Sequence, residues 1–178
     1  MPSDLTIFAA KYLVFLEAVL AAAIVVPLLL PRPRVEWIRW IVLVGITLVL
    51  AYAFARVGAA LYSDPRPFVT DHVRPLIPHA PDNGFPSDHA LLAATLVAAV
   101  AFVRPLWALP VAVLAVLVDW ARVGAGIHHV ADVMGSTLFV ALAAAVALVL
   151  APAIVRRIGP HLPAWMASPG VAPRQGSA

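Results

Sequence analysis

Cysteine is absent from this 178-residue chain. Disulfides, thiolate metal sites and a cysteine nucleophile are thereby excluded, and the redox compartment is left open. Charge is scarce as well. Asp, Glu, Lys and Arg together make up 12% of the residues against 63% hydrophobic ones, a balance that no ordinary soluble domain shows. The formal net charge of +3 is too small and too scattered to imply a nucleic-acid partner. What is present is apolar sequence in long runs, so the chain reads as an integral membrane protein. Its length suits one domain, with most of it in bundled helices and no extra soluble module.

A spanning helix needs about 20 mostly apolar residues, and five stretches approach that length: residues 5–30, 37–62, 89–103, 106–123 and 133–155. Breakers separate them. Pro31 and Pro33 divide the first from the second, Arg104-Pro105 the third from the fourth, and Gly124 with Gly126 the fourth from the fifth. The third run is short, so Pro86 to Asp88 are expected in its first turn. The expected fold is all-α, a polytopic transmembrane bundle of about five spanning helices. The first run is too long for a secretory signal and no small-residue cleavage site follows it, so it reads as a span. Residues 63–84, rich in Pro, Asp and His, form the long internal loop, and a loop of that length in a compact chain reads as functional. The expected division is a transmembrane domain over residues 1–158 and a flexible tail over residues 159–178.

Counting crossings brings the polar residues to one face. The second span exits beside Arg66, the third enters beside His89, the fourth exits beside Arg122 and the fifth enters beside Asp132. The opposite face receives Arg32, Arg34, Arg39, Arg104, Arg156, Arg157 and Arg174, with Glu36 as its acid. By the positive-inside tendency that opposite face is cytoplasmic, and the polar face opens outside the cytoplasm.

These polar residues suit phosphate chemistry. His128 and Asp132 are four apart at the start of a helix, so their side chains share a face and can touch. A carboxylate that accepts the Nδ1 proton fixes the imidazole tautomer and leaves Nε2 free to attack. His89 stands at the mouth of another helix and suits a general acid. Helix N-terminal amides and arginine forks both match phosphate oxygens, so Ser87, Arg66 and Arg122 can form a cradle. Such a cradle stabilises charge spread over the equatorial oxygens of a transferring phosphoryl group without a metal.

Arg66-Pro67, then Pro86-Ser87-Asp88-His89, then Arg122, five residues, His128, three residues and Asp132 resemble the three signature motifs of the type 2 phosphatidic acid phosphatase superfamily. The stretch from His79 through Phe85 to His89 is similar to the bacterial branch that dephosphorylates undecaprenyl diphosphate. The resemblance covers about residues 56–135. It implies a bacterial plasma-membrane lipid phosphatase with a phosphohistidine intermediate. In that reading His128 is the nucleophile, Asp132 its orienter and His89 the acid and then the base. Arg66, Ser87 and Arg122 would bind phosphoryl oxygens, and neither a cofactor nor a metal would be needed. The implied partners are the bilayer and a membrane lipid with a phosphate or diphosphate headgroup. Three positions depart from the family pattern. Ala59 stands where the motif places Lys, with Arg56 one turn earlier as a candidate replacement. Asp88 stands where Gly is usual and is a candidate helix cap, arginine partner or proton-network member within the substrate site. Ala121 replaces a Ser that often precedes Arg122.

Plainer readings exist for each residue alone. Arg66 could anchor at the headgroups, Ser87 and Asp88 could simply cap a helix, and either His could be a structural hydrogen-bonder. His129 is three from Asp132 and off the motif, and His72, Arg74 and His79 could grip a second phosphate or be solvated. Glu17, about 18 Å along the first helix from Leu5, needs a partner in the membrane, with Arg56 as a candidate. Asp119, three before Arg122, could hold that arginine. Trp37, Trp40, Trp107, Trp120 and Trp165 suit interfacial anchors. Competing functions are phosphatase action on phosphatidylglycerol phosphate, phosphatidic acid or a lipid A phosphate, and non-enzymatic binding or transport of a lipid phosphate. A metal held by His128, Asp132 and a second His is a further alternative.

Overall fold

The computed structural model describes residues 2–158, so the expected tail at 159–178, with Trp165 and Arg174, lies outside the described residues. Six helices follow one another: α1 (Pro2–Leu29), α2 (Arg34–Leu61), the single turn α3 (Pro67–Thr70), α4 (Asp88–Ala101), α5 (Ala108–Gly124) and α6 (Val130–Ile158), with a 3-10 turn (Pro105–Trp107) before α5. Four stretches are long and apolar enough to cross a membrane: Asp4–Leu29, Arg34–Leu61, Pro105–Gly124 and Val130–Ile158. The fifth expected span is α4, apolar but only 14 residues, or about 21 Å at the usual rise. Its start differs slightly from expectation. Ser87 is the N-cap and Asp88 the first helical residue, so Pro86 lies outside the helix.

Being short, α4 sits at the centre, packed against α1, α2, α5 and α6. Small residues make this possible. Thr47, Ala51 and Ala55 recur every fourth position on α2, as Ala143, Ala147 and Ala151 do on α6, and all are buried. Such rows let helix backbones approach closely where lipid gives no hydrophobic drive for association. Leu43 seats against Ala147 and Ala151, and Ala51 against Val140 and Ala143. A second core joins α1, α4 and α5 through Ala21, Val25, Leu29, Val100 and Val111. The larger apolar side chains point outward instead, among them Phe15, Val49, Leu109, Leu138 and Val149, as expected of a lipid-facing surface.

Indole donors fasten the arginine-rich end. Trp37 Nε1 donates to Leu29 O across the α1–α2 turn at 2.9 Å, and Trp40 Nε1 to Ala99 O near the end of α4 at 2.8 Å. Each uses a carbonyl in a last helical turn, where intrahelical donors run out. At the other end the C-termini of α2 and α5 meet the N-termini of α4 and α6, joined by the loop from Asp71 to Ser87. Among the described residues the loop's extended pairing is a single bridge between Pro65 and Asn83.

Candidate active site

The N-termini of α4 and α6 start the site. Ser87 is fully buried; its Oγ accepts from Ala90 N at 3.5 Å, its N–H donates to Asp132 O at 3.4 Å and its carbonyl accepts from Ser136 Oγ at 2.9 Å. Capping α4 and locking it to the first turn of α6 thus occupy Ser87, and it does not line the cavity. Phe85 steers the entry. Its ring packs directly over Gly135 on α6 and stands edge-on to Tyr62 and Phe139.

Between α2, the loop and these two N-termini lies a cavity of about 530 Å³, lined among others by Arg56, Arg66, Asp88, His89, Arg122 and His128. Arg66 and Arg122, on separate segments, are both nearly fully buried. Arg66 stands just before α3 and is held twice. Its Nε donates to Asp82 Oδ1 at 2.6 Å and its Nη1 to Ile127 O at 2.8 Å. Arg122, in the last turn of α5, donates from Nη1 to Ala10 O of α1 at 3.2 Å. Arg56 reaches the cavity from α2, beside Ala59. Asp88 is exposed at the cavity wall and His89 half-buried, with Arg122, Asp88 and the imidazoles of His128 and His79 as its titratable neighbours.

His128, in the turn before α6, is 3% exposed and Asp132 wholly buried. Their contact is Nδ1 to Oδ2 at 3.1 Å, and Asp132 Oδ2 also accepts from His129 N at 2.8 Å. Arg66 Nη1 lies 3.4 Å from the opposite ring nitrogen, Nε2. An arginine can only donate, so Nε2 is the unprotonated nitrogen and Nδ1 carries the proton toward Asp132. Burial pushes the His128 pKa down, and the nearby Arg122 and Arg66 add to that against the opposing Asp132. Burial and the same arginines also lower His79, whose ring stands 6.4 Å from that of His128. The arrangement is a neutral imidazole with an oriented lone pair, facing two buried guanidiniums.

The structure thus gathers His89, His128, Asp132, Arg66, Arg122, Asp88 and Arg56, and turns Ser87 inward. Two expected pairs are absent. Glu17 is fully buried with neither carboxylate oxygen hydrogen-bonded, its charged neighbour being Asp119 rather than Arg56. Asp119 Oδ1 and Arg122 Nε likewise lack hydrogen-bond partners, because Asp119 faces an apolar cavity among α4, α5 and α6 while Arg122 turns toward α1. The sequence places Asp64 and Asp82 on the site's face without a role for either, and gives no signal of role for Asn83 beyond its turn. Asn83 ties the loop to the end of α2, its Oδ1 accepting from Asp64 N and Phe85 N and its Nδ2 donating to Ala59 O and Tyr62 O. The Asn83-Gly84 dipeptide is a turn signal that could have flagged it.

Among known proteins, residues 40–157 match the family described as the PAP2 superfamily. Undecaprenyl-diphosphatase BcrC of Bacillus subtilis (strain 168) is 36% identical over 92 residues, 52% of this chain and 48% of that protein. YbjG of Escherichia coli (strain K12), provisionally named an undecaprenyl-diphosphatase, is 28% identical over 126 residues, 70% of this chain and 64% of that protein. The chain thus spans less than two thirds of either relative's length. No solved structure matches it.

Proposed function

The chain belongs to the PAP2 superfamily, and from that premise we propose that it is a membrane lipid phosphatase that hydrolyses undecaprenyl diphosphate to undecaprenyl phosphate and inorganic phosphate. The observation that carries the reading is the His128–Asp132 pair, with Nε2 turned to a cavity that holds Arg66 and Arg122. Nε2 attacks the terminal phosphorus as the bond to the bridging oxygen breaks, and His89 gives that oxygen its proton. Asp132 stabilises the imidazolium character that develops on His128. The guanidiniums of Arg66 and Arg122, with Arg56 at the rim, neutralise the equatorial oxygens. Water activated by His89 then cleaves the nitrogen–phosphorus bond and releases phosphate.

The names of both relatives support the diphosphate as substrate. A lipid tail is supported by a second cavity of about 190 Å³ between α2 and α4. It shares Tyr52 and Asp88 with the first and is otherwise lined by Leu48, Ala51, Leu91, Leu92 and Thr95. A prenyl chain lying there keeps to the bilayer while its diphosphate reaches the arginines. In the cell the site would face the periplasm or exterior.

The test is phosphate release from undecaprenyl diphosphate in detergent with excess chelator, beside phosphatidic acid, phosphatidylglycerol phosphate and a lipid A phosphate. Chelator-resistant release that His128→Ala abolishes is the expected result, with the diphosphate as preferred substrate. Release that survives His128→Ala would remove the nucleophile, and preference for another lipid would replace the substrate.

A further inference from the structure

Behind the histidine nucleophile lies a second acid that the scheme above does not use. Asp64 lies in the middle of the segment between α2 and α3. Its position is fixed by the backbone, its N–H donating to Asn83 Oδ1 at 2.9 Å and its carbonyl accepting from Gly84 N at 2.8 Å. Its side chain turns inward against Asp132 and is 16% exposed. One ligand-capable atom each of Asp64, His129 and Asp132 falls within 4.8 Å of the others. On Asp132 the division of labour is uneven. Oδ2 takes both available donors, His128 Nδ1 and His129 N, while Oδ1 is buried without any hydrogen-bond donor.

A carboxylate oxygen sealed from water without a donor is costly, and a second carboxyl, that of Asp64, has an oxygen within 4.8 Å of Asp132. Two carboxyls this close resist ionising together, and the pair is relieved when one retains a proton and donates it to the other. Other charged groups around the pair do not remove that need. His129 Nδ1 lies 3.1 Å from Asp64 Oδ1, out of line for a hydrogen bond, and its Nε2 is 3.3 Å from the exposed Asp71. His128 bonds the far oxygen of Asp132, and Arg66 is engaged by Asp82 and Ile127 O.

We propose that Asp64 is a positioning residue that carries a proton and donates it to Asp132, so that the Asp132 carboxylate is held with Oδ2 on His128. Burial, followed by the charge of Asp132, raises the pKa of Asp64, in keeping with this role. The pair then bears one negative charge, enough to balance the imidazolium character that forms on His128 as phosphorus is attacked. The proton stays between the two carboxyls throughout, and no bond to substrate involves Asp64. The inference rests on the reading of His128 and Asp132 as nucleophile and orienter.

Two variants separate a donor from a charge. Asn at position 64 retains a hydrogen-bond donor without the carboxyl, and Ala removes both. On the full chain in detergent with excess chelator, Asp64→Asn is expected to keep kcat within severalfold of wild type. Asp64→Ala is expected to lose about tenfold to a hundredfold, as when a buried acceptor loses its donor. Infrared spectra at neutral pH give a readout independent of turnover: the protonated-carboxyl band should lose intensity in Asp64→Asn. An unchanged band overturns the proposal, as does equal loss of kcat in both variants, which would mark a needed negative charge such as a cation ligand supplies. Should no variant or wild type release phosphate from any lipid, the phosphatase reading falls, while the infrared band still decides whether the proton is shared.

Discussion

His128 uses its two ring nitrogens differently, and that difference sets how the protein should respond to pH. Only the neutral ring can attack phosphorus. Because burial and the neighbouring arginines lower its pKa, the neutral form persists below the ordinary histidine value of about 6.5. The acid limb of kcat/KM should therefore lie below pH 6.5, and a limb above that value would contradict the burial argument. Asp132→Asn keeps the shape but no longer favours the Nδ1–H tautomer, so activity should fall on the order of 10³- to 10⁴-fold, as in hydrolase triads. Asp82 makes a gentler case. It is an anion already seated on Arg66 Nε, and the ion pair lowers the Asp82 pKa, so near neutral pH it is charged and competes with phosphate. Arg66 keeps its Ile127 anchor without it. Asp82→Asn should thus tighten competitive inhibition by inorganic phosphate by about twofold to fivefold, the scale of a half-exposed ion pair. Weaker inhibition would mean that Asp82 orients Arg66 rather than occupying it. His89, His128 and Asp132 could be picked from the sequence because they sit at fixed offsets from helix starts, and Arg66 and Arg122 because each lies by the end of an apolar run on the same face. Asp82 and Asp64 could be put on that face but not given their contacts, since a loop without periodicity gives no register from which to place a side chain.

Among the elements, the short helix α4 governs the site, and what aims it is a ring in a glycine socket. Phe85 lies just before the α4 cap, and a Cβ at Gly135 would run into its ring. A Cβ at Gly58 would likewise come within 2.6 Å of Phe139, which stacks edge-on against Phe85. An aromatic ring cannot give way as a flexible side-chain end does, so Gly135→Ala must push Phe85 and, with it, Ser87 to His89. The expected cost is about 1–3 kcal/mol, as for overpacked cores, read as a lower midpoint in heat-induced aggregation. A fall in kcat larger than the rise in KM should accompany it, because the displaced residue is His89, the proposed general acid, rather than an arginine of the proposed cradle. Wild-type stability in this variant would show that the socket has slack. The helices themselves were legible from apolar runs and Pro or Gly breakers, to within a few residues at most ends. The socket was not, because a glycine reads as a breaker in sequence and reveals a close approach only once α6 lies against the loop. The Asp119–Arg122 pair failed for a related reason: spacing of three puts two residues near one helix face, but neighbouring helices decided which way each side chain turned.

For the whole molecule, the two ends differ in charge, and this asymmetry predicts how it sits in the membrane. Arg32, Arg34, Arg39, Arg104, Arg156 and Arg157 flank the end where α1, α4 and α6 finish. The site end carries Asp64, Asp71, Asp82 and Asp88 beside the exposed Arg56 and Arg74, with its other two arginines, Arg66 and Arg122, drawn inside the bundle. Arginine near a span resists translocation, whereas acids contribute little, so the arginine-rich end should remain cytoplasmic and the cavity should open to the outer surface. A substrate whose diphosphate is exposed at that surface would then meet Arg66 and Arg122 without crossing the bilayer. The absence of cysteine makes this directly measurable, because a single introduced thiol is the chain's only one. Ala80→Cys on the exposed loop should react with a membrane-impermeant maleimide added to intact spheroplasts. Arg104→Cys at the opposite end should react only after the membrane is opened. The reverse pattern would put the cavity in the cytoplasm and require a substrate presented on the inner leaflet, even if every residue of the site acts as argued.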